Sequence, residues 1–210
     1  MTDKPLLHGF NGSTYVRTVR MVLRDKGIDY DQNPVNVPEG ETRSDEHLAR
    51  HPFGKVPVLD IDGMRLRETD AICRYLEDTH PSPALIPDTP ALRATMAEAI
   101  NIVGSYGHDA ILGVAGPHLF PGLVASQYKD HQDKALDDAK LTLDLLLNNA
   151  KGSGWLAGDR PTLADYFVGP LVFYVAQTPE KDKLLTDPRA VAWWDRMSAL
   201  DTFTATAPEM

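Results

Sequence analysis

Short apolar runs and helix-spaced apolar positions alternate along the first eighty residues. Val16, Val19 and Val22 recur at the period of a helix, whereas apolar and polar residues alternate on both sides of Asp62-Gly63, which is the strongest short-range hairpin signal. In chain order the pattern predicts a strand over 6–8, a helix over 16–23, a strand over 28–37, a polar helix over 41–50, a hairpin over 55–66 and a helix from residue 69.

This order of elements, β-α-β-α-β-β-α, excludes a purely parallel sheet, because the hairpin places an antiparallel edge on strands otherwise joined by helices. It matches a thioredoxin-like domain over residues 1–80. The proline-rich stretch that follows predicts a linker over residues 81–90. Residues 91–210 are predicted to form an all-helical domain, with helices over 91–114, 124–149, 162–177 and 189–200.

Composition and charge narrow the class of protein. The 210 residues allow one large domain or two small ones, and the hydrophobic share of 42% is that of an ordinary globular chain. The formal net charge of −9 disfavours nucleic acid and anionic membrane surfaces as partners. The amino terminus lacks the apolar run of a signal peptide, and no stretch is apolar enough to span a membrane. We therefore expect a cytoplasmic protein without nucleic-acid or membrane partners.

Cysteine and histidine positions exclude two kinds of site. The only cysteine, Cys73, rules out an intramolecular disulfide and a Cys-x-x-Cys redox centre, and its place among apolar helix positions predicts an inert core residue. His47 and His51 are four residues apart on a predicted helix, but no third ligand accompanies them and Pro52 ends the segment. No metal site is predicted there.

Two motifs in the first domain offer chemistry to a ligand, each with a simpler alternative. Ser13 lies where the first helix begins, so its hydroxyl either caps that helix or donates a hydrogen bond to a bound thiolate beside the positive end of the helix dipole. Val56-Pro57 precedes a strand and is either an edge-strand proline or a cis bond. A cis bond would turn the main-chain groups of Val56 outward to pair with an extended peptide.

Charged residues extend this pattern. Glu68-Thr69-Asp70 opens the third helix, either as a plain N-cap or as a set of main-chain donors for a carboxylate beside an acidic group for an amine. Arg43 and Lys55 are cations that either are simply solvated or hold a second carboxylate. Together these features describe a site for a small, extended, zwitterionic peptide that carries two carboxylates, an amine and a thiol.

The order and spacing of these motifs resemble the glutathione-binding domain of the cytosolic glutathione S-transferases. The resemblance rests on Ser13, Pro52–Pro57, Asp62-Gly63 and Glu68–Ile72, and on Gly158–Asp165, which is similar to that family's helix-start signature. It covers nearly the whole chain and is closest to the serine-type classes, phi, tau, theta and zeta among them, in a bacterial-type member. It implies a thioredoxin-like domain followed by an all-helical one, glutathione as co-substrate, no metal and a homodimer.

The resemblance also implies roles for individual residues. Ser13 stabilises the glutathione thiolate, Val56 before a cis Pro57 pairs with the cysteinyl main chain, Glu68 and Thr69 hold the γ-glutamyl end, and Arg43 and Lys55 lie near the glycyl carboxylate. Thr69 replaces the usual serine of the family's Glu-Ser pair and keeps the hydroxyl. Thr42 departs from the pattern, because phi-class members commonly have histidine there.

A small electrophile is the second substrate that the resemblance implies, bound between the domains. Its candidate contacts are Phe10 and Asn11 on the Ser13 loop and Tyr106 on the first helix of the second domain. The stretch His8–Phe10 lacks the tyrosine of the tyrosine-type classes, and no cysteine lies near Ser13. We expect a glutathione transferase. A glutathione-dependent dehalogenase or cis-trans isomerase, and a non-enzymatic binding protein with the same fold, remain alternatives.

Overall fold

The computed structural model describes residues 4–120, 128, 131–150 and 154–209. Contacts divide them into two compact units: one comprises the described parts of Met1–Ala84 and Asp201–Met210, the other the described part of Leu85–Leu200. The sequence pattern assigns every residue after 90 to the second domain. The structure differs at the carboxyl end, because residues 201–209 group with the first unit.

The first unit contains a four-stranded sheet with strand order β2-β1-β3-β4. Its elements are β1 (Leu6–His8), α1 (Thr14–Asp25), β2 (Asp31–Asn33), a 3₁₀ turn (Glu41–Arg43), α2 (Asp45–Arg50), β3 (Val58–Ile61), β4 (Met64–Arg67) and α3 (Thr69–Thr79). Strands β1 and β2 are parallel, while β3 is antiparallel to both β1 and β4. The predicted hairpin is confirmed, with φ of 51° at Asp62 and 74° at Gly63, as a type I′ turn requires.

Two predicted elements of the first unit differ in the structure. Strand β2 ends at Asn33, because Pro34 has no N–H to donate to the ladder. The polar helix predicted over 41–50 is interrupted at Ser44, whose extended main chain (φ −64°, ψ 149°) separates the 3₁₀ turn from α2. The Ser44 hydroxyl accepts a hydrogen bond from the His47 N–H at 3.2 Å, so this residue begins α2 as its N-cap.

The second unit is helical in its described residues. It contains α4 (Pro90–Ile102), a π-helical turn (Val103–Gly107), α5 (His108–Leu119), α6 (Gln132–Asn149), α7 (Leu163–Ala176), α8 (Lys181–Leu184) and α9 (Pro188–Ser198), and α10 (Asp201–Ala205) follows in the carboxyl-terminal segment of the first unit. Helix α5 packs on both α6 and α7. The first part of the helix predicted over 124–149 lies outside the described residues.

The π-helical turn interrupts the helix predicted from residue 91. It contains two glycines, Gly104 and Gly107, and glycine is a weak helix former. The two helices that the pattern missed, α8 and α10, have only 4 and 5 residues. Elements of that length carry too few residues for a helical period to be recognised.

The carboxyl-terminal segment docks on α1 through main-chain acceptors. The Arg17 guanidinium donates to the Phe203 carbonyl oxygen at 2.7 Å and lies 3.9 Å from the centre of the Phe203 ring. The Thr202 hydroxyl donates to the Met21 carbonyl oxygen at 3.1 Å. These partners are 186 and 181 positions apart in the chain, so no local pattern predicts them.

A buried ion pair joins the end of α1 to α3 and to the segment after it. The Lys26 ammonium contacts the Glu77 carboxylate and donates to the Pro83 carbonyl oxygen at 2.5 Å. The Lys26 side chain is fully buried and that of Glu77 is 8% exposed. Charges taken out of water to this degree depend on each other for compensation.

Replacing Lys26 with methionine is expected to lower the free energy of unfolding by about 3 kcal/mol, because the Glu77 carboxylate then stays buried without its cation. Urea unfolding followed by circular dichroism measures the change. The double variant Lys26→Met/Glu77→Leu should recover most of the loss, since neither charge remains inside. A double variant as unstable as Lys26→Met would contradict this account.

A chain of polar side chains crosses all four strands on one face of the sheet. The Asn33 amide donates to His8 Nδ1 at 3.0 Å, so His8 Nε2 carries the hydrogen and donates to Asp60 Oδ2 at 3.1 Å. Arg65 donates two hydrogen bonds to Asp60, at 2.7 and 2.8 Å. Burial lowers the pKa of His8 despite the Asp60 carboxylate, and Arg65 lowers the pKa of Asp60.

Stability is expected to fall as the pH decreases below the ordinary histidine pKa of 6.5, because burial lowers the pKa of both His8 and His51. Above that pH both imidazoles are neutral whether the chain is folded or unfolded. Below it the unfolded chain takes up protons that the folded chain does not, until the pH reaches the folded pKa values. Each imidazole contributes at most about 1.4 kcal/mol per pH unit.

Urea unfolding between about pH 8 and about pH 5 measures this dependence. Replacing His8 with glutamine should make the decline below pH 6.5 shallower, because one of the two imidazoles is removed. Identical pH profiles for the wild type and His8→Gln would refute the contribution of His8.

Candidate functional site

The strand register brings the ends of three loops to one end of the sheet. His8, the last residue of β1, pairs with Val58, the first of β3, and Val58 pairs on its other side with Arg67, the last of β4. Neighbouring strands lie about 4.8 Å apart. The segments after His8, before Val58 and after Arg67 therefore start side by side. They carry the predicted site residues Ser13, Lys55–Pro57 and Glu68-Thr69, which together with Arg43 we name the loop cluster.

The Ser13 loop is a tight turn that ends at the start of α1. The Ser13 N–H donates to the Phe10 carbonyl oxygen at 2.9 Å, and the Phe10 ring covers Gly12, where a β-carbon would lie 2.4 Å from a ring carbon. Ser13 Oγ accepts a long hydrogen bond of 3.4 Å from the Val16 N–H. The structure therefore shows that Ser13 is the N-cap of α1. The hydroxyl hydrogen is donated to none of the described residues, which leaves it for a ligand.

Gln32 of β2 holds the Ser13 loop from the neighbouring strand. Its side-chain amide donates to the Gly9 carbonyl oxygen at 3.0 Å and to Asn11 Oδ1 at 2.7 Å. Asn11, a predicted co-substrate contact, is exposed and tied to the sheet by this bond. The sequence contains no signal for this role of Gln32, because it arises only when β1 and β2 pair.

The segment before β3 is fixed by two buried histidines of the α2 segment. The Val56–Pro57 peptide bond is cis. His47 Nε2 lies 2.9 Å from the Lys55 carbonyl oxygen, and His51 Nδ1 accepts a hydrogen bond from the Phe53 N–H at 3.3 Å. The four-residue spacing of the histidines is visible in the sequence, but only the structure shows that they bind a loop.

Arg43 lies against this same segment. Gly54 has φ of +61°, and a β-carbon there would lie 2.7 Å from the Thr42 carbonyl oxygen and 3.2 Å from an Arg43 guanidinium nitrogen. Both the positive φ and the close approach require glycine. The next residue, Lys55, is exposed. The fold thus brings the two predicted cations to one loop.

Glu68 begins α3 with a strained main chain. Its φ of 67° and ψ of 119° lie where side-chain-bearing residues are rarely found, at a cost of about 1–3 kcal/mol. The side chain makes no capping hydrogen bond and is 78% exposed. His51 Nε2 lies 3.9 Å from Glu68 Oε1, and burial lowers the pKa of His51 although this carboxylate opposes the shift. The N–H groups of the first turn, from Thr69 onward, are not capped by the Glu68 side chain.

The predicted co-substrate residues divide between the two units. Phe10 and Asn11 belong to the first unit, whereas Tyr106 lies in the π-helical turn of the second and is 71% exposed. Tyr106 borders a cleft of about 380 Å³ together with Tyr128 and Lys134. Burial and a hydrogen bond to Asp138 raise the pKa of Tyr128 to about 12. The co-substrate role of all three candidates stays a prediction.

Cys73 is fully buried in α3, which confirms the prediction of a core residue, and burial raises the pKa of its thiol. Among the described residues, no group of three or more His, Cys, Asp or Glu side chains is arranged to hold a metal ion. No helix in the described part of the chain is long and apolar enough to cross a membrane.

Comparison with known proteins adds the family. The models of the glutathione S-transferase N-terminal and C-terminal domains match residues 7–84 and 96–201. Maleylacetoacetate isomerase of Rhizobium meliloti is 31% identical over 100% of this chain and 98% of its own length. Glutathione S-transferase F10 of Arabidopsis thaliana is 28% identical, with 85% of each chain covered.

Solved structures give the same result for the fold. The crystal structure of glutathione transferase F7 from Populus trichocarpa matches with a TM-score of 0.84 at 23% identity, over 96% of this chain and 97% of that one. A glutathione S-transferase-I solved with lactoylglutathione matches with a TM-score of 0.82 at 26% identity, over 97% of this chain and 98% of that one. From the two domain matches and the full-length relative, this chain belongs to the glutathione S-transferase family.

Proposed function

We propose that the loop cluster binds glutathione and that the protein transfers its thiolate to the electrophilic carbon of an apolar co-substrate. The observation that carries this proposal is the strand register His8–Val58–Arg67, which aligns the Ser13 loop, the segment before β3 and the start of α3 at one end of the sheet. Three loops so aligned offer contacts to the thiol, the middle and the amino end of one extended tripeptide.

The charges of the loop cluster complement those of glutathione. Arg43 and Lys55 lie together at one end, where they oppose the glycyl carboxylate. The exposed Glu68 carboxylate meets the γ-glutamyl amine, and the N–H groups at the start of α3 meet the carboxylate beside that amine. This local arrangement explains how a chain of net charge −9 binds an anionic peptide.

The chemical step requires a thiolate beside Ser13. The sulfur donates its electron pair to the electrophilic carbon, a C–S bond forms, and the leaving group departs with its own electron pair. The thiol proton passes to solvent. The Ser13 hydroxyl and the positive end of α1 stabilise the sulfur anion, which raises the thiolate fraction at neutral pH.

A glutathione-dependent isomerase is the second candidate. Several relatives carry the name maleylacetoacetate isomerase, among them proteins of Rhizobium meliloti and Rattus norvegicus. In such a reaction the thiolate adds to a conjugated double bond, rotation follows, and the thiolate leaves again. Glutathione is then a catalyst, whereas conjugation consumes one glutathione for each product.

Counting thiols therefore separates the two candidates. With 1-chloro-2,4-dinitrobenzene, a transferase should consume glutathione and release chloride in equal amounts. With maleylacetoacetate, an isomerase should convert the substrate without a fall in free thiol. Turnover of the second substrate alone would replace the transferase proposal by the isomerase.

Binding to immobilised glutathione tests the site itself. Glu68→Ala is expected to weaken glutathione binding at least about tenfold, because the amine loses its carboxylate partner. Asp78→Ala is the matched control, since it removes one carboxylate from an exposed position of the same helix, α3. A wild type that is not retained and gives no heat on titration with glutathione would remove the basis of this proposal.

The implied partners and location belong to the same proposal. We infer a small-molecule electrophile as co-substrate, a homodimer as the assembly and the cytoplasm as the compartment, as the family resemblance implies. Light scattering of the purified protein measures the mass in solution, and a value of one chain would contradict the dimer.

A further inference from the structure

His47 has a position that the proposed chemistry does not by itself explain. It is buried on α2, and its Nε2 lies 2.9 Å from the Lys55 carbonyl oxygen. A carbonyl oxygen only accepts hydrogen bonds, so Nε2 carries the hydrogen. The other ring nitrogen, Nδ1, is buried and has no partner among the described residues. The His47 imidazole is thus buried with a single hydrogen bond, to a loop carbonyl.

That bond sets the direction of the next amide group. The Lys55–Val56 peptide bond is planar and trans, because the cis bonds in this region are confined to Val56–Pro57. In a trans peptide the C=O and the following N–H point in opposite directions. When His47 holds the Lys55 carbonyl toward the interior, the Val56 N–H is directed away from His47 and from α2.

Val56 is poised to receive a ligand. In the described part of the chain, its N–H donates to no residue and its carbonyl oxygen accepts from none. The segment on either side is held, with the Phe53 N–H bonded to His51 and β3 beginning at Val58. The orientation of the unpaired Val56 amide therefore depends on the Lys55 carbonyl, and the side-chain bond that holds this carbonyl comes from His47.

We propose that His47 is a positioning residue for glutathione: by binding the Lys55 carbonyl it holds the Val56 N–H toward the tripeptide's main chain. This inference rests on the proposed function, because it assumes that the loop cluster binds glutathione. Without His47 the peptide plane rotates more freely, and glutathione must order it on binding. The effect falls on affinity rather than on the chemistry at Ser13.

Stability gives little reason for a histidine at this position. Replacing it with leucine removes the unpartnered Nδ1 from the interior but leaves the Lys55 carbonyl without its donor, and these two effects oppose each other. We expect the unfolding midpoint of His47→Leu to shift by no more than about 3 °C. A residue needed only for folding would show the reverse pattern, a large shift in midpoint without a specific loss of affinity.

Three variants measured by calorimetric titration with glutathione test the proposal. The glutamine amide nitrogen is three bonds from Cβ, as is histidine Nε2, so His47→Gln keeps a donor at the right reach, whereas His47→Leu has none and His47→Asn is too short. We expect His47→Leu and His47→Asn to weaken binding about fivefold to tenfold, and His47→Gln to stay within about twofold of the wild type. In steady-state assays KM for glutathione should rise with little change in kcat.

An amide nuclear magnetic resonance spectrum supplies a direct readout. Glutathione should shift the Val56 amide proton of the wild type downfield, and the shift should be smaller in His47→Asn and restored in His47→Gln. The Asn and Gln pair keeps the test usable if His47→Leu fails to fold.

The outcomes separate this inference from the proposed function. A wild type that binds glutathione together with His47→Asn of equal affinity overturns the role of His47 and leaves the site intact. Equal losses in His47→Gln and His47→Asn also overturn it, because the donor would then not matter. A wild type that does not bind glutathione overturns both proposals.

Discussion

Replacing Ser13 with alanine is expected to lower kcat/KM for glutathione conjugation by roughly 100-fold near pH 6.5, a loss typical of removing one donor to a developing or bound anion. The hydroxyl hydrogen of Ser13 is donated to no described residue, so it is available to a thiolate. Without it the pKa of the bound thiol rises, and the thiolate fraction at this pH falls.

The pH dependence gives this prediction its sign. A thiol whose pKa has risen still ionises at higher pH, so the loss of activity in Ser13→Ala should shrink as the pH rises. The acid limb of the pH–rate profile should move to higher pH. Ultraviolet absorption of the bound thiolate, titrated in both proteins, measures the same shift without turnover. A rate that is lowered by the same factor at every pH would contradict thiolate stabilisation.

Capping is the rival explanation, since Ser13 Oγ also accepts from the Val16 N–H. Ser13→Asp separates the two roles. Aspartate is as good an N-cap as serine, so α1 should keep its stability, but its carboxylate has no hydrogen to donate and repels a thiolate. We expect Ser13→Asp to fold like the wild type and to lose at least as much activity as Ser13→Ala. An active Ser13→Asp would show that the adjacent Thr14 or main-chain donors stabilise the sulfur anion instead of Ser13.

Replacing Asp165 with asparagine is expected to lower the free energy of unfolding by about 3–4 kcal/mol. The Asp165 carboxylate is fully buried and accepts four hydrogen bonds. Oδ1 accepts from the Leu156 N–H at 3.0 Å and from Trp193 Nε1 at 2.8 Å, and Oδ2 accepts from the Thr162 N–H at 2.8 Å and its hydroxyl at 3.0 Å.

Three of the four partners, the Leu156 and Thr162 N–H groups and the Trp193 indole, can only donate, which makes asparagine a poor substitute. Its amide nitrogen is itself a donor, so whichever way the side chain turns, at least one of these three donors faces an N–H instead of an acceptor. Burial raises the pKa of Asp165, which indicates that desolvation of the charge is a real cost, but removal of the charge does not restore the lost acceptor.

Denaturant unfolding followed by tryptophan fluorescence measures this effect, because the Trp193 indole is one of the four donors. Asp159→Asn makes the same chemical change at an exposed position of the loop before α7 and should stay within about 0.5 kcal/mol of the wild type. An Asp165→Asn protein within about 1 kcal/mol of the wild type would show that the hydrogen bonds contribute far less than their burial indicates.

The elements that the sequence predicted well are those specified by nearby residues. The Asp62-Gly63 hairpin depends on two consecutive residues that tolerate positive φ, and α1 depends on an apolar period that begins just after a capping serine. Pro34 shortened β2 and Ser44 divided the polar helix, and both effects are local too. These two were missed because propensity over a window averages across a single interrupting residue.

The proposed ligand-binding residues of the candidate site have signals in the sequence, whereas the residues that hold their loops in place do not. Ser13, Val56-Pro57 and Glu68 stand beside turn and helix-start signals, so their chemistry is visible in order along the chain. Gln32 and His47 carry no such signal. The spacing of His47 and His51 predicts no metal site, and the partner of His47 is the Lys55 carbonyl, a main-chain group that no sequence pattern identifies.

The sequence by itself determined the order of strands and helices, the hairpin and the burial of Cys73, and it supplied the candidate residues of the proposed site for a zwitterionic thiol peptide. These follow from periodicity, turn chemistry and side-chain type, which act within a few residues. Tertiary structure alone decided that the carboxyl-terminal segment docks on Arg17 and that Asp165 meets Trp193, partners 186 and 28 positions apart. Hydrogen bonds span only about 3 Å, so such contacts form only when packing brings distant segments together. No local sequence pattern identifies the two partners.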